Sequence, residues 1–279
     1  MPAYGNLAGV ELGDGLPVRL LGVINVSPES FYAGSVPETE DELRRRAAAM
    51  AEEGADLLDV GARSTAPYRE TDISEDEEAQ RLGAAIRVIR GTVSLPISAD
   101  TSRVRVALTA LDEGAQVIND VTGFRMDPAL ADIVAKRAEG VILMASPAGR
   151  TRPDPLGTVR SLLEASLQAT WKAGIPAHRV VVDPGIGFFR DSEMSWADWD
   201  CEVLRRLEEL RDLERPIAIG VSRKSFLGKL LGKDDPVDRL VGSLAATVAA
   251  VLHGAHCVRT HDVRATREAV KVAEALRPS

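Results

Sequence analysis

The apolar runs of this sequence repeatedly end in residues that carry charge or form several hydrogen bonds. Seven of the eight runs are followed by Asn, Asp, Arg, Lys or His. These residues are Asn25, Asp59, Asp100, Asn119 with Asp120, Asp183, the Ser222-Arg223-Lys224 segment, and Arg259 with His261. One aspartate at such a position is usually a turn former. Because buried carboxylates and amides need partners, the whole set predicts a ligand rich in donors and acceptors, such as a polar heterocycle.

Basic side chains are concentrated after the last two apolar runs. Lys224 follows the seventh run, and Arg259 and His261 follow the eighth. Arginine offers phosphate a two-pronged fork and lysine a point charge. We therefore expect an anion, such as a phosphate group, beside the heterocycle. The alternative for Lys224 and the neighbouring Arg223 is that both are solvated loop charges.

The apolar runs alternate with amphipathic segments, which predicts eight strand–helix units. One example is the helix predicted for Glu75–Arg90, where Ser74 is a plausible N-cap and Glu77 completes a capping box. Strict alternation implies parallel strands with right-handed crossovers. Eight units in 279 residues favour a single (β/α)8 TIM barrel domain over residues 1–279, with its site at the carboxyl ends of the strands. A doubly wound sheet is the alternative, but no G-x-G-x-x-G follows the first run.

Composition narrows the class of protein and of partner. The formal charge of −8 does not resemble a basic nucleic-acid footprint, so we expect no nucleic-acid partner. Cys201 and Cys257 form no CxxC pair or Cys/His cluster, which makes a structural zinc site improbable. The first residues lack the basic and apolar regions of a signal peptide, and no stretch reaches the length of a membrane span. We therefore expect a cytoplasmic protein with no membrane contact.

Two apolar features could serve packing or assembly. Leu240–Leu252 is rich in Ala and Val and nearly uncharged, and a helix that is apolar all round is usually buried on more than one side. We expect it in a dimer interface, with tight packing inside one subunit as the alternative. Trp196 and Trp199 are expected to pack the start of a helix or a subunit contact, although a ligand lid is also possible.

Seven short segments together resemble one family, the dihydropteroate synthases of folate biosynthesis, along nearly the whole chain. The segments occur in the family's order, each at a strand end. They are LGVINVSPESF (Leu21–Phe31), GADLLDVGARSTAP (Gly54–Pro67), ISADTSR (Ile97–Arg103), GAQVINDVTG (Gly114–Gly123), VVDPGIGF (Val181–Phe188), GVSRKSFLG (Gly220–Gly228) and RTHDV (Arg259–Val263).

The resemblance implies a reaction and a set of partners. Members condense 6-hydroxymethyl-7,8-dihydropterin pyrophosphate with 4-aminobenzoate and release pyrophosphate. The expected partners are thus small-molecule pterin and arylamine substrates, with Mg2+ as cofactor near Asn25 and a homodimer as the assembly.

The resemblance also implies site residues at the matching positions. The pterin ring would contact Asp100, Asn119, Met144, Asp183, Phe188 and Lys224. Pyrophosphate would contact Asn25, Arg259 and His261, and aminobenzoate would lie against Thr65, Pro67, Phe188 and Ser225. Lys224, Asp100, Asp183 and Arg259 are the expected catalytic residues. Carboxylates around the ring would stabilise the cation that forms when pyrophosphate leaves.

Departures from the family pattern keep two other functions open. The second loop has Ala66 where Arg is common, with Arg63 and Arg69 as possible replacements, and the fifth run ends in Ala145 where His is common. Methyltransferases that pass a methyl group from methyltetrahydrofolate to a corrinoid protein share the barrel and the Asp/Asn pterin ring. They have no need of the basic cluster at Lys224, Arg259 and His261, which favours the synthase. A non-catalytic pterin-binding paralogue is the third possibility.

Overall fold

The computed structural model describes residues 2–27, 36–37, 39–64, 73–147, 149 and 154–277. Ten strands lie within these ranges: β1 Tyr4–Leu7, β2 Val10–Gly13, β3 Arg19–Asn25, β4 Leu57–Gly61, β5 Ile97–Asp100, β6 Val117–Asp120, β7 Gly140–Met144, β8 Val180–Asp183, β9 Ala218–Gly220 and β10 Cys257–Thr260. The last eight form one parallel sheet in the order β8-β7-β6-β5-β4-β3-β10-β9. A parallel bridge between Val182 and Ile217 joins its two edges, which confirms the predicted TIM barrel.

Helices surround the barrel and connect its strands. The helices of the described residues are α1 Glu40–Glu52, α2 Glu75–Arg90, α3 Val104–Glu113, α4 Leu130–Arg137, α5 Pro155–Ala173, α6 Trp196–Arg205, α7 Ser225–Leu231, α8 Leu240–Leu252 and α9 Val263–Leu276. The predicted cap of α2 is present, since Ser74 Oγ accepts a hydrogen bond from the Glu77 backbone N–H at 3.1 Å. Within the described ranges, no helix is both long and apolar enough to cross a membrane.

The strands position the site through their two-residue side-chain period. Inward-facing positions near the start of the strands carry apolar residues: Leu21, Leu57, Val117, Ile142, Val181, Ala218 and Cys257 form one buried cluster. Two residues later, the same strands carry Val23, Asp59, Asn119, Met144, Asp183, Gly220 and Arg259. Because alternate residues face the same side of a strand, most strands contribute an apolar floor residue and then a residue of the cleft, whereas Asp59 of β4 lies beneath the cleft.

An antiparallel hairpin, which the sequence analysis did not predict, closes the floor of the barrel. β1 pairs with β2, and its Leu7 and Leu12 join the apolar cluster of the strand starts. The turn residues Ala8 and Gly9 both have positive φ, at 52° and 90°, as a two-residue hairpin turn requires. A β-carbon on Gly140 would lie 2.5 Å from Leu7 Cδ2, so the start of β7 has room for Leu7 only because it is glycine.

Two helical segments differ from the pattern-based prediction. The sequence pattern predicts one helix over Asp198–Leu213, but in the structure α6 ends at Arg205 and a separate 3-10 helix covers Leu207–Leu213. Leu207 and Leu210 are both fully buried, and their spacing of three matches the three residues per turn of that helix. The second difference is α7, which the sequence pattern did not predict. Its seven residues are too few to show a helical period.

Candidate active site

A cleft of about 960 Å3, partly open to solvent, lies at the carboxyl ends of the barrel strands. All described residues of the predicted site line it: Asn25, Asp100, Asn119, Met144, Asp183, Phe188, Lys224, Ser225, Arg259 and His261. These residues come from six strands and from the segments that follow β8, β9 and β10. Thr65 and Pro67, predicted for the second substrate, lie outside the described residues.

Asp59 is the centre of the hydrogen-bond network beneath the cleft. Its side chain is fully buried and accepts three hydrogen bonds. The donors are Ser98 Oγ at 2.7 Å, Asn119 Nδ2 at 3.1 Å and Arg259 Nε at 2.6 Å. Asp59 therefore fixes the amide of Asn119 and the guanidinium of Arg259 in place. Its position at the end of an apolar run was recognised in the sequence, but its anchoring role depends on contacts between four strands.

Arg259 of β10 donates hydrogen bonds to both Asp59 of β4 and Asp100 of β5. Its Nη2 donates to Asp100 Oδ2 at 2.8 Å. The other oxygen, Asp100 Oδ1, is buried and has no hydrogen-bond partner among the described residues. Burial raises the pKa of Asp100 to about 7, although the positive charge of Arg259 opposes the shift. A buried oxygen without a partner at the cleft wall is suited to accept a hydrogen bond from a ligand.

Asp183 faces the cleft from the opposite side of the barrel. Its Oδ1 accepts from the Gly185 backbone N–H at 2.7 Å, and burial raises the pKa of Asp183. Gly185 has φ of 76°, and a β-carbon there would lie 2.1 Å from the Ala145 carbonyl oxygen. The Asp-Pro-Gly turn thus needs its glycine to hold the carboxylate at the strand end.

Lys224 reaches the cleft over an aromatic ring. Its Nζ lies 4.5 Å from the centre of the Phe188 ring, within the range of a cation–π interaction. Burial and the nearby Arg259 lower the pKa of Lys224 to about 8, while Asp183 and Asp200 oppose the shift. Lys224 is therefore mostly protonated at neutral pH, but close to its titration point.

Asp200, which the sequence analysis did not select, anchors the loop that carries Phe188. Its buried Oδ1 accepts from the Gly187 backbone N–H at 2.8 Å, and burial raises the pKa of Asp200 to about 6. The neighbouring Trp199 is fully buried and stacks on Phe189 at 5.0 Å between ring centres. This packing confirms the structural role expected for Trp199. No sequence signal distinguishes Asp200 from an ordinary polar residue of α6.

His261 is held as a neutral imidazole beside the strand end. Its Nδ1 lies 3.0 Å from Ser222 Oγ. Burial, followed by the charge of Arg259, lowers the pKa of His261 to about 3. It can therefore act as a hydrogen-bond donor or acceptor at neutral pH, but it supplies no positive charge.

Arg223 has a structural role and is not a solvated loop charge. The side chain is buried and forms a bidentate pair with Asp262 at 2.8 and 2.7 Å. It also donates to the Pro236 and Val237 carbonyl oxygens. Arg223 therefore ties the segment after β9 to the segment after β10, next to Lys224 and His261.

Two further arginines line the cleft. Arg190 donates to Ser225 Oγ and lies 3.9 Å from the centre of the Trp196 ring. Arg63 follows β4 and lies 3.3 Å through its Nε from Glu78 Oε2. Both were outside the predicted set of binding residues. Arginine is common at protein surfaces, so only the tertiary structure shows which arginines face the cleft.

Comparison with known proteins identifies the family. The family model for pterin binding enzymes matches residues 21–261. Dihydropteroate synthase of Synechocystis sp. is 34% identical over 267 residues, covering 92% of this chain and 89% of that protein. The chain belongs to the dihydropteroate synthase family.

Solved structures of the family share the fold over nearly the full length. Xanthomonas albilineans dihydropteroate synthase with 4-aminobenzoic acid has 35% sequence identity and a TM-score of 0.87, covering 99% of this chain and 98% of that one. Dihydropteroate synthase from Thermus thermophilus in complex with 6HMPPP has 36% identity and a TM-score of 0.81, covering 99% of this chain and all of that one. The resemblance stated from seven short segments is confirmed.

Proposed function

We propose that the protein condenses 6-hydroxymethyl-7,8-dihydropterin pyrophosphate with 4-aminobenzoate and releases pyrophosphate. The observation that carries this proposal is a single cleft in which carboxylate and amide groups lie beside basic groups. Asp100, Asn119 and Asp183 suit the pterin, whereas Lys224 and Arg259 suit an anion. Relatives with 4-aminobenzoic acid and with 6HMPPP support the same pair of substrates.

Asp183 is proposed to bind the edge of the pterin that carries the N–C–NH2 group. That edge presents two N–H donors side by side, and a carboxylate accepts both. Asp100 and Asn119 would take the remaining ring nitrogens, and Met144 would pack against the ring. Asp100 Oδ1, which has no partner within the described part of the chain, has the acceptor capacity for this role.

The proposed reaction is a displacement at the CH2 group of the pterin. The amine nitrogen of aminobenzoate forms a bond to this carbon, and the carbon–oxygen bond to pyrophosphate breaks with both electrons leaving on oxygen. The amine then loses a proton. Carboxylates around the ring stabilise positive charge that develops on the pterin, and the protonated Lys224 stabilises the departing anion.

The leaving group is proposed to lie near Asn25, Arg259 and His261. Arg259 supplies charge, while Asn25 and neutral His261 supply polar contacts. We also propose Mg2+ as cofactor, because a hard cation on a diphosphate needs few protein ligands and takes its other oxygens from phosphate and water. Asn25 fits this donor set, because its side-chain amide oxygen is a hard ligand and the residue lines the cleft. When bound, the ion would neutralise phosphate charge.

The aminobenzoate is proposed to lie at the outer part of the cleft. Phe188 offers its ring face, and Ser225 lies next to Arg190. Thr65 and Pro67, the other residues predicted for this subsite, lie outside the described residues. Lys224, which contacts Phe188, would lie between the two substrates.

The alternative of a methyltransferase acting on methyltetrahydrofolate is less well supported. Its substrate has no pyrophosphate, yet the cleft is lined by Arg63, Arg190, Lys224 and Arg259.

A homodimer and a cytoplasmic location remain predictions. The homodimer is supported by apolar residues on the outer face of α8, where Val241 is 73% exposed and Leu252 40% exposed.

A coupled pyrophosphate-release assay tests the proposed function. The purified protein is mixed with the pterin pyrophosphate, Mg2+ and either 4-aminobenzoate or no arylamine. We expect release that depends on the arylamine, with dihydropteroate as the second product by mass spectrometry. Binding of the pterin without release would instead support a non-catalytic paralogue. A panel of other arylamines would define the acceptor.

A further inference from the structure

Besides Lys224, the two other basic groups assigned to the leaving group supply less positive charge than their number suggests. Arg259 donates to two carboxylates, Asp59 and Asp100, which oppose its charge. His261 is neutral at physiological pH because its pKa is lowered to about 3. A diphosphate carries two or three negative charges, so further positive charge at this side of the cleft would increase its affinity.

Arg63 lies at this side of the cleft. It follows β4, whose end is joined to the end of β3 by a hydrogen bond from the Val26 N–H to the Gly61 carbonyl oxygen at 2.9 Å. Asn25, the last residue of β3, and Arg63 both line the cleft. The proposed aminobenzoate residues Phe188 and Ser225 follow β8 and β9, and β8 lies opposite β4 in the eight-stranded order.

Arg63 shares its ion-pair partner with a second arginine. Buried Glu78 on α2 is shared by two arginines, with Arg63 Nε at 3.3 Å and Arg103 Nη1 at 2.9 Å. It also accepts from Thr101 Oγ1 at 3.0 Å. Among the described carboxylates, Glu78 is the one within ion-pair distance of either arginine. Glu78 thus provides one negative charge for two guanidinium groups. Of the two arginines only Arg63 lines the cleft, where its charge also acts on Asp100.

The same network holds Arg63 in position. Glu78 is fully buried, and Arg103 also donates to the Ile73 carbonyl oxygen at 3.1 Å, away from the cleft. The side chain of Arg63 is 18% exposed, so the cleft wall restricts its conformations. A restricted arginine loses less conformational entropy when it binds a phosphate than a mobile surface arginine does.

We propose that Arg63 is a second diphosphate-binding arginine, positioned by Glu78 on the β4 side of the leaving group. This inference rests on the proposed function, because it assigns one more contact to the same substrate. Arg63 would thus contact the departing phosphates from the β4 side of the cleft, next to Asn25 at the end of β3.

Calorimetric binding of two ligands tests the inference: the pterin pyrophosphate and the pterin alcohol that lacks the diphosphate. Both are measured with Mg2+ present on the unmodified protein and on Arg63→Gln, Arg63→Lys and Arg105→Gln. Arg105 is a suitable control because it pairs with Asp76 and is largely exposed on the outer surface. We expect Arg63→Gln to lose about tenfold or more in affinity for the pyrophosphate and to keep its affinity for the alcohol. Arg63→Lys should lose less, and Arg105→Gln should match the unmodified protein.

The outcomes separate this inference from the proposed function. If the unmodified protein binds the pyrophosphate no better than the alcohol, the proposed function fails. If it prefers the pyrophosphate and Arg63→Gln keeps the full preference, the inference about Arg63 is wrong. Equal losses for both ligands would also overturn it, because they would place Arg63 at the pterin or in the fold. Thermal unfolding of each variant checks that the fold keeps its stability when Arg103 is the ion-pair partner left to Glu78.

Discussion

The two ends of the barrel are built by the same strands but obey different rules. At the floor, Val181 of β8 and Cys257 of β10 pack in an apolar cluster that the hairpin residues Leu7 and Leu12 complete. Two residues further along the same strands, Asp183 and Arg259 line the cleft. Floor residues need only fill volume, so other apolar residues of similar size suit them. Cleft residues need partners of defined charge and direction, so their chemical type is restricted.

The largest expected difference between the two ends concerns ligand affinity. Asp183→Asn should weaken pterin binding about 100-fold, or about 3 kcal/mol, because the carboxylate that accepts two hydrogen bonds becomes half donor. The matched control is Val181→Ala, two residues earlier on β8, which should lower the free energy of unfolding by about 2 kcal/mol and leave pterin affinity unchanged. Calorimetric titration and urea unfolding measure the two effects. Near-normal pterin affinity in Asp183→Asn would refute the assignment.

The floor can be tested on its own through the hairpin. Leu7→Ala should lower the free energy of unfolding by about 2 to 3 kcal/mol, since it leaves a cavity between β1 and the strand starts. The KM values for both substrates should stay within twofold of the unmodified protein because Leu7 lies at the opposite end of the barrel from the cleft. Urea unfolding and steady-state kinetics provide the two readouts. A large change in KM without loss of stability would show that the two ends are coupled.

The smallest effect appears only at alkaline pH. In the proposed function Lys224 binds the leaving group in its protonated form, and burial and Arg259 lower its pKa to about 8. Its charge is therefore present below pH 8 and lost as pH rises through this value, so kcat/KM should fall above about pH 8. Lys224→Arg should remove this alkaline limb from the measured range, because a guanidinium stays charged. Lys229→Arg, on the helix that follows Lys224, is the control and should keep the alkaline limb. An unchanged limb in Lys224→Arg would exclude Lys224 as its origin.

Most of the barrel could be predicted from local patterns. The bounds of α2 agree with the predicted Glu75–Arg90 and those of α8 with the apolar segment Leu240–Leu252, because helical periods are properties of neighbouring residues. The hairpin was missed because its four-residue strands resemble a terminal loop until the floor of the barrel is present to cover Leu7 and Leu12. The 3-10 segment over Leu207–Leu213 was missed because apolar residues three positions apart, such as Leu207 and Leu210, fit both an α-helix and a 3-10 helix.

The sequence by itself determined the fold class, the family and the strand-end residues of the cleft. These follow from the order of apolar runs and from short motifs, and neither requires knowledge of distances. Only the tertiary structure decided which charged residues pair with one another. It places Arg259 on Asp59 and Asp100, Arg223 on Asp262, and Arg63 beside a carboxylate that Arg103 shares. These pairs join residues from about 15 to 200 positions apart, and the free energy of a charge depends on the partners and burial that the fold gives it.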